Sequence, residues 1–336
     1  MIDREGIMRL LMAFLLACTG PVARQALADE VAIEEWTVPY EESRPRDPYA
    51  VSEREVWFVG QRSGYLARLD ATTGEFTKVD LPPGSAPHNL IVAKNGDVWF
   101  AGNANAYIGR YDPRTGEIEK IAMPAEDARD PHTLVFDSDE RNIFFTVQGG
   151  NYIGRLELAT RKVDLVVVET ANARPYGIRI GPKGKVYVAL FGTNKIAEVD
   201  PVTLEYTEHR LQHPAARPRR LEVTSYGVIF YSDYARGVLG RLNPKTGHNI
   251  EFPLPGGEQS KPYGTAMDGE DRIWLVESGV SPNRLIGFDD DSEEFFSETP
   301  IPSGGGTVRH MHYHAPSNSI WFGTDSNTIG RAKLGE

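Results

Sequence analysis

Three histidines, two arginines and two tyrosines recur at one place in this chain. Counting back eleven positions from the Trp-like residue of each repeated segment gives Arg46, His88, Tyr176, Arg219, Tyr263 and His310, with His132 one residue further back after an insertion. Such a column has the groups for two kinds of chemistry. Neutral imidazoles accept protons near pH 7, and guanidinium forks recognise carboxylate or phosphate. Counting forward three positions from the same Trp-like residues gives Gly60, Gly102, Val147, Leu190, Asp233, Glu277 and Thr324, of which only Asp233 and Glu277 carry charge.

A further histidine run, Arg309-His310-Met311-His312-Tyr313-His314, alternates so that its histidines share one face of a strand. One strand cannot wrap three of its own side chains around an ion. His312 and His314 are therefore expected to pack or hydrogen-bond between neighbouring elements, and His310 to belong to the column.

The elements that must hold these residues are short strands. The segments PHNLIVAKNGDVWFAGNANAYIGR, PHTLVFDSDERNIFFTVQGGNYIGR, PYGIRIGPKGKVYVALFGTNKIAEV, PRRLEVTSYGVIFYSDYARGVLGR and PYGTAMDGEDRIWLVESGVSPNRLIGF repeat one pattern, with weaker copies around VWFVGQRSGYLAR and IWFGTDSNTIGR. Their spacing of about 44 residues is the length of a four-stranded blade. The pattern predicts an all-β, seven-bladed β-propeller of four antiparallel strands per blade, with the column lining the mouth of a central channel. In the second blade the strands are expected over 89–93, 97–101, 107–111 and 117–123. The last copy lacks an outer strand, and Ile33 to Pro39 resembles the outer-strand segment Ile250 to Pro255. That N-terminal strand is expected to close the last blade and remove open sheet edges. Trp57, Trp99, Trp274 and Trp321 recur at one strand position and read as core, and turns such as Asp112-Pro113-Arg114-Thr115-Gly116 read as structural.

The chain has 336 residues and a formal charge of −11. Residues 1–28 read as a cleaved signal peptide, with an apolar run from Met8 to Cys18 and a small-x-small site at Ala26-Leu27-Ala28. Translation from Met8, or lipid attachment at Cys18, is an alternative for this end. Removing two acids and three bases with it takes the charge from −11 to −12 and removes the single cysteine. The remaining 29–336 is expected to be one propeller domain, periplasmic or secreted, monomeric, and off the membrane after cleavage. Its acidic balance, without a basic stripe, excludes nucleic acid as the partner, so a small molecule in the channel is expected.

The motif set (R/x)-P-(H/Y)-x-(I/L), then V-W-F, then N-x-I-G-R, resembles the virginiamycin B lyase (streptogramin B lyase) family, from about Trp36 to Leu334. The resemblance implies a carbon-oxygen lyase that opens a cyclic depsipeptide antibiotic at its ester by elimination, and hence antibiotic resistance. It also implies a His base and a Mg²⁺ ion held by carboxylates. Carried over, His88 faces the substrate, while Asp130 and His132 supply carboxylate and base, but Val147 stands where the second carboxylate belongs. Glu277 offers that carboxylate in a blade where Tyr263 replaces the histidine. His310 is a third candidate base, with Thr324 at the carboxylate position and Asp325 one residue late. No blade carries the full set. Two readings follow: a His-based lyase acting on a small cyclic ester or lactone, with catalytic His310, His132 and His88 and metal-binding Glu277 and Asp130; or a non-catalytic propeller binding an anionic molecule or peptide end through Arg46, Tyr176, Arg219 and Tyr263. A scaffold that binds other proteins along its outer blade edges is a third.

Overall fold

The computed structural model describes residues 30–335. The assignment of residues 1–28 lies outside them. Seven four-stranded antiparallel sheets follow one another along the chain. Their inner strands are Pro45–Ala50, Leu90–Val92, Pro131–Phe136, Pro175–Ile180, Pro218–Val223, Pro262–Met267 and Val308–His314. Each touches the inner strands before and after it, and the last touches the first, so the ring is closed. The strands expected in the second blade appear as Leu90–Val92, Val98–Gly102, Tyr107–Tyr111 and Ile118–Ala122. Among the described residues no helix is long and apolar enough to cross a membrane.

Closure takes the expected form. Ala32–Thr37 pairs antiparallel with Thr328–Lys333, from Ala32 opposite Lys333 to Thr37 opposite Thr328. Trp36 stacks on Trp321 with ring centroids 5.5 Å apart, which ties the two ends together through the core as well as through the backbone.

The core lies between blades. One apolar cluster joins Ile91, Trp99 and Ile108 of the second blade to Leu134 and Phe145 of the third, and another joins Trp321 and Ile329 of the seventh to Val56 and Phe58 of the first. Trp57, Trp99, Trp274 and Trp321 are all buried. The glycine of the I-G-R motif has a packing reason: a Cβ on Gly109 would lie 2.1 Å from the Phe100 ring, and one on Gly154 would lie 2.2 Å from Phe145. An aromatic ring on one strand therefore requires glycine on the next. The Asp-Pro-x-Thr-Gly turn is structural too, with Asp112 Oδ1 accepting from Arg114 N at 2.9 Å and Gly116 at φ +77°.

Strand pairing corrects one register. Opposite the Trp-like residues stand Tyr49, Ile91, Val135, Arg179, Glu222, Ala266 and, in the seventh blade, His312 opposite Trp321. Three residues before His312 is Arg309, so Arg309 and not His310 belongs with Arg46, His88, His132, Tyr176, Arg219 and Tyr263. The cause is an extra residue in the hairpin, which turns through the short 3-10 segment Ala315–Ser317.

Candidate functional site: a three-layered channel

The inner strands line the channel in three layers. The mouth layer holds Arg46, His88, His132, Tyr176, Arg219, Tyr263 and Arg309. The middle layer is the next residue of each blade: Asp47, Asn89, Thr133, Gly177, Arg220, Gly264 and His310. The far layer is the set opposite the Trp-like residues.

In the mouth layer side chains from adjacent blades pack ring on ring. His88 and His132 have centroids 3.5 Å apart, and His132 lies 4.1 Å from Tyr176. The hydroxyls of Tyr176 and Tyr263 share a hydrogen bond. The Arg219 guanidinium lies 3.6 Å from the centroid of Tyr263, 4.3 Å from Tyr234, 4.7 Å from Phe191 and 5.0 Å from Tyr176. Cations over aromatic faces are attracted by the ring quadrupole. Arg219 and Arg309 retain partial exposure while the other five members are buried, and Arg309 is already paired with Asp325.

The electrostatics follow from this packing. Burial, then Arg46, His132 and Arg220, hold His88 well below the ordinary imidazole range. Burial, then Arg220 and Arg46, do the same for His132. Both are neutral at pH 7, which leaves a ring nitrogen unprotonated, while the same burial and arginines weaken it as a base. For Tyr176 burial alone would raise the value, but Arg219, Arg220 and Arg46 outweigh it and lower it. Tyr263 is raised, chiefly by burial.

The middle layer holds an ion network that the sequence reading did not single out. Asp47 sits at φ +49°, a conformation that Asp tolerates better than most residues. It accepts from Arg46 Nε at 2.8 Å and from Asn89 Nδ2 at 2.9 Å. Arg220 donates to Thr133 Oγ1 at 3.1 Å and to the Arg309 carbonyl at 3.2 Å. Burial would raise Asp47, yet Arg46, His310 and Arg220 hold it well below the carboxylate range. The signal was present in the chain: every column one residue along could have been counted too.

The carboxylates proposed for a metal are engaged elsewhere. Glu277 accepts from Gly256 N at 2.7 Å and Ser260 Oγ at 2.8 Å, and its other oxygen pairs with Arg284. Asp130 accepts from Gly149 N at 2.7 Å and Gly150 N at 3.3 Å, fixing a loop. Asp233 caps Arg217 N at 3.0 Å and pairs with Arg236. Among the described residues no three His, Cys, Asp or Glu side chains converge as a metal site. Mg²⁺ asks for free oxygen ligands, and the donor set here does not fit it. His310 is likewise separated from His88 and His132, one layer deeper in the channel.

The likeness to known proteins extends over the whole ring. Selenomethionine-substituted virginiamycin B lyase from Staphylococcus aureus matches with TM-score 0.81 at 21% identity, covering 91% of this chain and 100% of that one. A streptogramin B lyase structure matches with TM-score 0.80 at 21% identity, covering 90% and 98%. A catalytically inactive histidine-to-alanine variant of the S. aureus enzyme, solved with quinupristin, matches with TM-score 0.81 at 21% identity, covering 91% and 100%. At this identity the likeness establishes the fold. No curated protein sequence matches this chain. The model of the virginiamycin B lyase family matches residues 13–163 and again 161–335, and the chain therefore belongs to the virginiamycin B lyase family.

Proposed function

We propose that this chain is a small-molecule-binding propeller whose channel mouth receives an anionic ligand, a carboxylate first of all, at Arg219. One observation carries the reading: Arg46 and Arg220 both turn to the single carboxylate of Asp47, and Arg219 makes no ion pair among the described residues. Among the described residues its Nε has no hydrogen-bond partner, and Tyr176, Tyr234 and Tyr263 hold the guanidinium in place. A partly buried guanidinium without a counter-charge is costly, and a bound carboxylate offsets that cost with charge-assisted hydrogen bonds of about 1.5–3 kcal/mol each. Calorimetric titration with acetate, succinate and phosphate tests this. Binding that persists in EDTA, disappears in Arg219→Ala and returns the ligand intact supports the reading; equal binding by wild type and Arg219→Ala overturns it.

His-based elimination of a small cyclic ester or lactone is the second reading, favoured by the neutral His132 packed against Tyr176. In that reaction His132 takes the proton from carbon, the electron pair forms a carbon-carbon double bond, and the ester oxygen leaves as a carboxylate. Arg219 is then the natural partner of that leaving carboxylate. No step is assigned to Mg²⁺. Mass spectrometry of quinupristin after incubation separates the two: a ring-opened product lost in His132→Ala supports elimination, and unchanged quinupristin excludes it for this substrate. We also place the mature protein in the periplasm or outside the cell, on the strength of the apolar run and small-x-small site within residues 1–28. The N-terminal mass of the exported protein tests that placement.

A further inference from the structure

The channel has a second mouth. At the end opposite Arg219 lies a cavity of about 260 Å³, walled by the whole far layer and reaching His310 and Asn89 of the middle layer. An engineered apolar cavity of about 150 Å³ accommodates benzene, so this volume admits a single-ring molecule.

The lining defines what kind of molecule fits. Ile91, Val135, Ala266, Met267 and Met311 make the wall mostly apolar, and the methionines suit aromatic contact. The charged groups are committed to each other. Arg179 donates Nε and Nη2 to the two oxygens of Glu222 at 2.8 and 2.9 Å, and Thr265 Oγ1 donates to Glu222 at 2.8 Å. The third nitrogen of Arg179 donates to the Ile178 carbonyl at 3.2 Å. A charged ligand would lose water here without finding a free counter-charge.

His310 is the exception to this satisfaction. It is only 9% exposed, it lines the cavity, and among the described residues no hydrogen bond reaches its ring. Burial, with Arg220 and Arg179 against the opposing Asp47, keeps it well below the ordinary imidazole range and hence neutral. Beside it His312 is driven down to about 3, chiefly by burial, and lies 4.1 Å from the Tyr49 ring in a stacked pair. A neutral imidazole can donate or accept, and a buried one without a partner is costly.

We propose that this second mouth is a binding site, separate from the Arg219 mouth, for an uncharged phenol-class aromatic molecule whose hydroxyl bonds to His310. The apolar wall takes the ring, the closed Arg179–Glu222 pair disfavours charge, and His310 supplies the polar contact.

The test uses p-cresol as probe in calorimetric titration of the full chain. Saturable binding is expected, weakened at least tenfold by His310→Phe and by Val135→Trp, which fills the wall, and unchanged in Arg219→Ala. If Val135→Trp does not fold, Met267→Trp fills the cavity from another blade. The charged analogue 4-methylbenzoate is expected not to displace p-cresol. The proposal is overturned if p-cresol fails to bind at about 10 mM, if both cavity variants bind like wild type, if 4-methylbenzoate competes, or if Arg219→Ala abolishes the binding. Anion binding at Arg219 is read from other ligands and another variant, so either proposal can fail alone.

Discussion

Arg220 Nη2 stands 3.7 Å from Asp47 Oδ2, joining the fifth blade to the first across the channel. Both side chains are buried, at 1% exposure each, and Asp47 also anchors Arg46 and Asn89. The floor of the mouth is thus an ionic cross-brace between blades that are distant in sequence.

Asp47→Asn leaves Arg46 and Arg220 without their carboxylate. Breaking a buried pair from one side costs about 3–5 kcal/mol. The expected result is a lower urea midpoint by that amount of stability, with unchanged m-value. Because Asp47 titrates below its unfolded value, its contribution is present above about pH 4 and is lost as pH falls further. Asp47→Asn should flatten that part of the acid limb.

A second acid dependence comes from the histidines. His88, His132 and His310 are all held well below 6.5 in the folded chain. The unfolded chain therefore binds protons first as pH drops below about 6.5, and stability falls by about 1.4 kcal/mol per pH unit for each histidine. Urea titrations at pH 7.5, 6 and 5 should show the fall, and His132→Gln should reduce its slope by about 1.4 kcal/mol per pH unit.

Glu277 is expected to act on stability rather than on a metal. Glu277→Gln weakens the contact to Arg284 while keeping hydrogen-bonding capacity, so a loss of about 2 kcal/mol is expected, read by thermal melting. Neither Mg²⁺ nor EDTA should shift the melting temperature of wild type or variant. A Mg²⁺-dependent shift that Glu277→Gln removes would return this residue to a metal site.

The ring closure makes its own prediction. Trp36→Ala removes the ring stacked on Trp321 and the cation contact from Arg331 at 5.4 Å. A loss of about 3 kcal/mol is expected by urea titration. Deleting residues 30–38 exposes the Thr328–Lys333 edge, and light scattering should report self-association.

Much of the fold was legible because blades are local objects. Alternation, the WF pair and the I-G-R strand report contacts within about 20 residues, such as Gly154 against Phe145. The closing strand was legible by its likeness to Ile250 to Pro255, since both must complete the same kind of blade. Counting failed for His310, because the hairpin through Ala315–Ser317 holds one more residue than the first blade's, a difference that only pairing of His312 with Trp321 exposes. Glu277 was legible as a carboxylate at a special position, and its partner Arg284 lies directly opposite on the next strand of the same hairpin.

The sequence by itself determined the seven blades, the closing strand and the polar character of the channel mouth, because each is set by short-range strand pattern. Only the tertiary structure decided which of those polar residues meet. Arg220 reaches Asp47, and Tyr176 reaches a Tyr263 that lies 87 residues further along, because the ring brings blades together across an axis that no local pattern records. Strand pairing within single blades, not ring closure, assigns His310 to the middle layer, where it faces the second mouth, and Glu277 to Arg284. What remained of the charge, an arginine held among aromatic rings without an acid, is the feature on which the proposed function rests.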